Sequence, residues 1–299
     1  MSAERSLPIE KIAPNESSII PSQSALSSDD PSISELEREL IRRLKTGRAA
    51  LPVLPAVAQA AIRLANDPDA RVTDLASLVD TDPPIAARFM SVANSVIYFR
   101  GWVTSSTQSA IVRLGLASTR DLLFQVVYAS NTDGLKQYQG AVQASFRRSV
   151  MSAHAARVIS RELSIGNEYD YMSGLLHDIG ESRIYRILDG LKLPTTPQLV
   201  AFLVKKYHES AGAEIAMAWK LPTEIVDACA AHHDAVAAAS PNVRLVMIAD
   251  CVVAALEAEA GQAECEIDFE PFDKLLIDPC IARRLVEKTR QLIGDPVNL

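Results

Sequence analysis

The chain has 299 residues, a formal charge of −7, and side chains that are 48% apolar but only 5% aromatic. This length buries one large core or two modest ones. The negative balance excludes a protein that grips nucleic acid or anionic membrane over its whole surface.

Residues 1–33 hold four prolines among many serines without periodicity, and read as a disordered leader. From Ser34, placed as a cap, Leu36, Leu40, Ile41 and Leu44 recur at helical spacing, and Gly47 is a stop. Leu51-Pro52-Val53-Leu54-Pro55 opens a second unit, whose helical face is Val57, Ala60, Ala61 and Leu64. Thr73 is expected to cap a short helix carrying Leu75, Leu78 and Val79. Asp82-Pro83-Pro84 then breaks the chain and starts a helix through Ile85, Phe89, Met90 and Ala93, ending at Asn94. Thr107 to Leu114 and Ser118 to Tyr128 are two more helices, split by Gly115.

The second half continues in the same manner. A long helix is expected over about 141–163, another carries His177 and Asp178, and a third spans about 197–219. Pro222 begins a helix reaching His232-His233, and Val243 to Glu259 forms one after the Pro241 break. A looser acidic stretch, Gly261 to Asp273, leads to an amphipathic helix over Pro279 to Ile293. No convincing period-2 strand appears. The reading is all-α: a helical domain over 34–258, with sub-bundles at about 34–135 and 140–258, and a helical extension at 259–299. That extension could dock or dimerise through Leu275, Leu276, Ile281, Leu285 and Ile293, or simply cover the core.

No basic segment followed by an apolar run marks a signal peptide, and Pro241, Arg244 and Asp250 interrupt the longest apolar stretches. A cytoplasmic location without membrane contact follows, with Cys229, Cys251, Cys265 and Cys280 reduced. The short basic clusters, among them Arg42-Arg43-Lys45 and Arg147-Arg148, read as solvated helix faces, so no nucleic-acid partner is expected.

Four of the five histidines fall between 177 and 233. His177, Asp178, His208, His232, His233 and Asp250 form a candidate ligand set for a catalytic first-row metal: Fe, Mn, Mg, Zn or Ni. Adjacent residues point about 100° apart on a regular helix, so His177 and Asp178 reach one ion only near a helix end, where Gly180 suggests a turn. Asp250 stands among Val246, Met247, Ile248, Ala249 and Val252, where an ionised carboxylate needs a partner or a metal. Cys229 and His232, three apart, fit a ligand pair but read better as core residues, and one of His232 and His233 is expected to be solvated.

Together these residues resemble the HDOD family, an output-domain relative of the HD-domain phosphohydrolases. The resemblance covers about 45–250. It runs through Leu51-Pro52-x-Leu54-Pro55, Asp82-Pro83, Ala93-Asn94-Ser95, Ala110-Ile111 and Leu114-Gly115. It continues through Leu175-Leu176-His177-Asp178-Ile179-Gly180, His208 with Gly212, Trp219-x-Leu221-Pro222, His232-His233 and Ala249-Asp250. It implies an all-helical bundle in bacterial signalling, regulatory and without an established activity. Catalytic relatives, the HD-GYP cyclic-dinucleotide phosphodiesterases among them, carry one more histidine on the helix before the His-Asp pair. Aligning the apolar positions of 141–163 puts that place at Arg148, with His154 about 240° away around the helix. Arg148 is expected to pair with Asp178 or Asp250 and replace the ion electrostatically. Glu181 replaces a lysine of those relatives, and Asp234-Ala235-Val236 replaces their Gly-Tyr-Pro.

Two functions are consistent with this. The first is a non-catalytic signalling module that binds a partner protein or small ligand, with possible homodimerisation and a degenerate metal site. The second is a metal-dependent phosphohydrolase acting on cyclic nucleotides or dinucleotides, for which Asp178 is the catalytic candidate.

Overall fold

The computed structural model describes residues 35–46, 71–95, 101–130, 134–191, 193–234, 236–261 and 267–294. The proline-rich leader and the Leu51 to Leu64 unit lie outside them. The described residues form thirteen α-helices and one short 3-10 turn, with no strand among them. The all-α expectation holds.

Helix α1 (Glu35–Thr46) comes first in sequence. The first half then consists of α2 (Val72–Val79), α3 (Pro83–Ala93), α4 (Thr107–Leu114) and α5 (Leu116–Ser130). Their apolar faces meet in one core around Leu75, Val79, Ile85, Phe89, Ile111 and Leu123. Local chemistry fixes the ends. The Asp82 carboxylate accepts from the Ile85 amide at 3.2 Å and so caps α3, whose first residues are prolines lacking an N–H to satisfy. Helix α2 differs from expectation: its cap is Arg71, and Thr73 sits inside the first turn. Asp74 in that turn complements the positive helix end, which a threonine cap would otherwise serve.

The second half contains α6 (Gln139–Leu163), α7 (Asp170–Leu176), α8 (Ile179–Asp189), α9 (Pro197–Ala218), α10 (Thr223–Ala231) and α11 (Pro241–Gly261). Helices α12 (Glu270–Lys274) and α13 (Pro279–Ile293) close the chain. Helix α6 is the central strut, packing against α7, α11 and α13. Helix α13 buries Ala282, Leu285 and Val286 in the same core as Met151, Ile248 and Val252. Burying a Leu or Val in this way contributes about 2 kcal/mol relative to exposure, so this face covers the core. Among the described residues of the extension, Leu276 is the large apolar side chain that stands out in solvent.

Two contacts determine where the site forms. Helix α5 enters the second half through Phe124 and Tyr128, which share a core with Val150, Tyr171 and Leu175. A partly buried ion pair, Arg157 with Asp121, joins the same halves. Helices α8 and α9 touch backbone to backbone. A Cβ on Gly180 would stand 1.9 Å from the His208 carbonyl oxygen and 2.5 Å from the Gly212 nitrogen. Only glycine at 180 permits that approach.

Candidate metal centre

Helix α7 stops at Leu176 and α8 restarts at Ile179, leaving His177 as the last cap of one and Asp178 as the first cap of the other. This break answers the 100° problem, because the two neighbours no longer share a helix and both aim inward. Asp178 occupies an N-cap position, yet its side chain makes no capping bond. Its carboxylate is committed to the imidazoles instead: Oδ2 lies 3.1 Å from His177 Nε2, and Oδ1 lies 3.2 Å from His232 Nε2 and 3.5 Å from His208 Nε2. Asp250, from the middle of α11, brings Oδ1 to 3.1 Å from His177 Nε2.

The other nitrogen of each ring is already used. Nδ1 lies 2.8 Å from the Gly174 carbonyl for His177, 3.0 Å from Val204 for His208, and 2.9 Å from Ala228 for His232. A carbonyl can only accept, so each Nδ1 donates and each Nε2 faces the cluster, as a lone pair wherever the ring is neutral. Anchoring a ligating histidine through its second nitrogen is the standard support for metal binding. His208 Nε2 and His232 Nε2 are 3.1 Å apart, two lone pairs that need a shared proton or a cation between them. His177 Nε2 has two carboxylates at hydrogen-bonding distance, but no bond to either has acceptable direction.

Two donor groups, His177/Asp178/His232 and His208/His232/His233, each have their ligand atoms within 4.8 Å. They share His232. The donor chemistry, imidazole with carboxylate, suits divalent first-row cations. The three anchored imidazoles are at most 3% exposed, whereas the side chains of Asp178 and Asp250 are 18% and 26% exposed. The centre therefore opens to solvent on its carboxylate side.

Electrostatics follow from this packing. Burial opposes charge on His177, but Asp178 and Asp250 outweigh it and raise its pKa well above the usual imidazole range. Asp178 is held well below the usual carboxylate range: burial opposes this, and His177 and His232 overcome it. His208 moves down, chiefly through burial. One turn into α8, Glu181 is pushed up by burial and then by the charge of Asp178.

The structure brings five of the six candidates together, with His233 at the rim. His233 is exposed, donates its amide to Glu209 at 3.1 Å, and lies with its ring 4.3 Å from that of His232. Cys229 is a core residue whose thiol donates to the Leu176 carbonyl, while His232 belongs to the cluster. Arg148 is a correction. Its guanidinium pairs with Glu257 at 3.5 Å, with both side chains about half exposed, and not with Asp178 or Asp250. Helix α11 places Glu257 two turns beyond Asp250, so the cation keeps its water and still finds a carboxylate. His154 is packed against Tyr171 at 5.4 Å between ring centroids, away from the cluster. The anchoring carbonyls of Gly174, Val204 and Ala228 escaped the sequence reading. Their only signal is the i−3 or i−4 offset that any helical histidine has.

Residues 51–235 match the model of the HDOD domain. Among solved structures, a Shewanella amazonensis protein provisionally named a metal-dependent phosphohydrolase is 21% identical with a TM-score of 0.63, covering 84% of this chain and 96% of its own. An HDOD domain protein of unknown function from Geobacter sulfurreducens is 25% identical with a TM-score of 0.59, covering 86% and 88%. An uncharacterised protein of Treponema pallidum is 22% identical over 198 residues; the match takes 62% of this chain but spans only 38% of that relative. Asp250 lies beyond the matched 51–235, and the fold alone delivers it to His177. With the family model matching more than half its length, the chain belongs to the HDOD family.

Proposed function

We propose that this protein is a regulatory HDOD module that holds a divalent cation at His177, Asp178, His208, His232 and Asp250. It acts by binding a signalling protein or small ligand, not by turning over phosphodiesters. The observation that carries this reading is that α6 sends no ligand to the cluster: Arg148 turns to Glu257, and His154 packs against Tyr171. Glu181 adds to it, since a carboxyl group beside Asp178 opposes the approach of a phosphate. When bound, a divalent cation supplies Lewis acidity at this point. The chain's own residues hold the imidazole tautomers, neutralise charge through Asp178 and Asp250, and leave the carboxylate side open to a ligand.

The test is metal content by elemental mass spectrometry on protein purified without chelator, together with hydrolysis assays on bis(p-nitrophenyl) phosphate and cyclic dinucleotides. About one ion per chain, lost in His177→Ala, with hydrolysis no faster than the free ion, is the expected result. Hydrolysis at an ordinary enzymatic rate overturns it.

The second reading, a metal-dependent phosphohydrolase, is favoured by the convergence of three anchored Nε2 atoms and two carboxylates, and by the provisional name of the Shewanella relative. Under that reading Arg148→His raises both metal occupancy and hydrolysis. Under the regulatory reading hydrolysis stays at background.

A further inference from the structure

Helix α1 precedes the matched domain in sequence but packs on the second half, across the backs of α8 and α9. Its apolar stripe, Leu36, Leu40 and Ile41, is buried against Ile184, Ile187, Leu203 and Val204. Two polar tethers hold its ends. Near the start, the buried Glu37 carboxylate accepts from Tyr207 Oη at 2.7 Å and Lys206 Nζ at 2.9 Å. At the end, Arg183 donates Nη2 to the Leu44 carbonyl at 3.1 Å and Nη1 to Glu214 at 2.6 Å. Arg183 is only 1% exposed, so this is a desolvated guanidinium bonded to one C-terminal carbonyl of another helix, that of Leu44.

These tethers grip the helices that supply the centre. Arg183 lies on α8 behind Asp178, and Tyr207 directly precedes His208 on α9. One turn before Arg183, on the same face of α8, the two helices meet at Gly180, with no side chain to absorb a change in spacing. Each tether sets one buried charge, Glu37 or Arg183, against a partner that is half exposed or a neutral carbonyl, so it fixes register while adding little stability, which is the property a reversible strap needs. Close-packed interiors respond to such a release by shifting between discrete arrangements.

We infer that α1 is a regulatory strap: docked, it fixes the spacing of α8 and α9 and so the affinity of the centre; released, it loosens that centre. This rests on reading the His/Asp cluster as a cation site. The strap transmits to the centre whatever contact pulls α1 away or holds it down, as a coupling between two sites that works in both directions.

The test uses the full chain, with Co²⁺ as the probe. Leu40→Asp places a carboxylate in the apolar seam, and Glu37→Ala removes one tether more gently. Amide hydrogen exchange over residues 35–46 reports whether α1 is docked, and equilibrium titration gives the Co²⁺ dissociation constant. Faster exchange in both variants is expected, with the constant rising about tenfold or more in Leu40→Asp and less in Glu37→Ala. Free α1 amides with a Co²⁺ constant within about twofold of wild type overturn the strap while leaving the cation site standing. Wild-type protein that binds no Co²⁺ overturns the cation reading and the strap with it. Should Leu40→Asp fail to fold, Glu37→Ala decides by the same two readouts. Conversely, bound Co²⁺ slows exchange over 35–46 in the wild type if the coupling is real, and leaves it unchanged if it is not.

Discussion

The Nε2 atoms of His208 and His232 lie 3.1 Å apart, while each ring donates its other nitrogen to a carbonyl of its own helix. Neither ring can turn to relieve the contact without breaking its anchor. The pair is thus preorganised for a positive charge before any arrives.

His232 belongs to both donor groups, so His232→Ala lowers divalent-cation affinity by about 100-fold or more, against about tenfold or less for His233→Ala at the exposed rim. Titration calorimetry with Mn²⁺ or Ni²⁺ checks the ranking. Equal losses in the two variants would show that His232 has no special place in the site, and a larger loss for His233→Ala would move the site to the rim.

Cation binding raises thermal stability. An ion at a hundred times its dissociation constant adds about 2.7 kcal/mol to the folded state. For a chain of this size that is about 5 °C in Tm. Differential scanning fluorimetry with and without chelator should show the shift in wild type and lose it in Asp178→Asn. A shift that survives in Asp178→Asn would place the ion elsewhere.

Gly180→Ala forces a methyl group into the space of the His208 carbonyl, 1.9 Å away, where backbone rather than a flexible side chain must move. The expected cost is about 3 kcal/mol in urea unfolding, with weaker cation binding because Asp178 and His208 are pushed apart. Gly190→Ala, whose nearest atom would be 3.6 Å distant, is the matched control and should change little. Similar effects in both variants would sink the argument from backbone contact.

Burial, followed by the charge of Arg157, lowers His154 from 6.5 to about 4. The folded protein therefore binds fewer protons than the unfolded chain between these values, and the stability His154 allows above pH 6.5 is lost as pH falls toward 4. The loss amounts to about 3 kcal/mol over that window. Asp121, pushed up to about 6 by burial against the pull of Arg157 and Arg120, acts in the opposite direction over an overlapping range. The difference between His154→Leu and wild type, followed by urea unfolding at stepped pH, isolates the histidine. The variant should gain relative stability as pH drops, and parallel curves would refute the assignment.

Much of this fold could be read from local chemistry. Proline and a preceding acceptor mark the starts of α3, α9 and α13, and Gly115 marks the end of α4, because those signals act within one turn of chain. Thr73 misled because Asp74 serves the same helix end from inside the first turn. At the site, His177, Asp178, His208, His232 and Asp250 were legible as chemistry before any contact was known. Arg148 was not, because its partner Glu257 depends on how α6 meets α11, and a long flexible side chain takes whichever carboxylate keeps it hydrated. The tethers on α1 were equally hidden, since Glu37 and Lys206 are 169 residues apart.

The five converging ligands enter the chain in order, and Asp250 on α11 comes last, behind three histidines and a carboxylate carried between α7 and α10. Synthesis proceeds from the N-terminus, so the nascent protein has four of the five ligands until α11 leaves the ribosome and settles against α6. A chain halted before α11 therefore carries both donor groups but lacks the second of the two carboxylates that face His177, so on the proposed cation reading it gains an ion less tightly than the finished bundle.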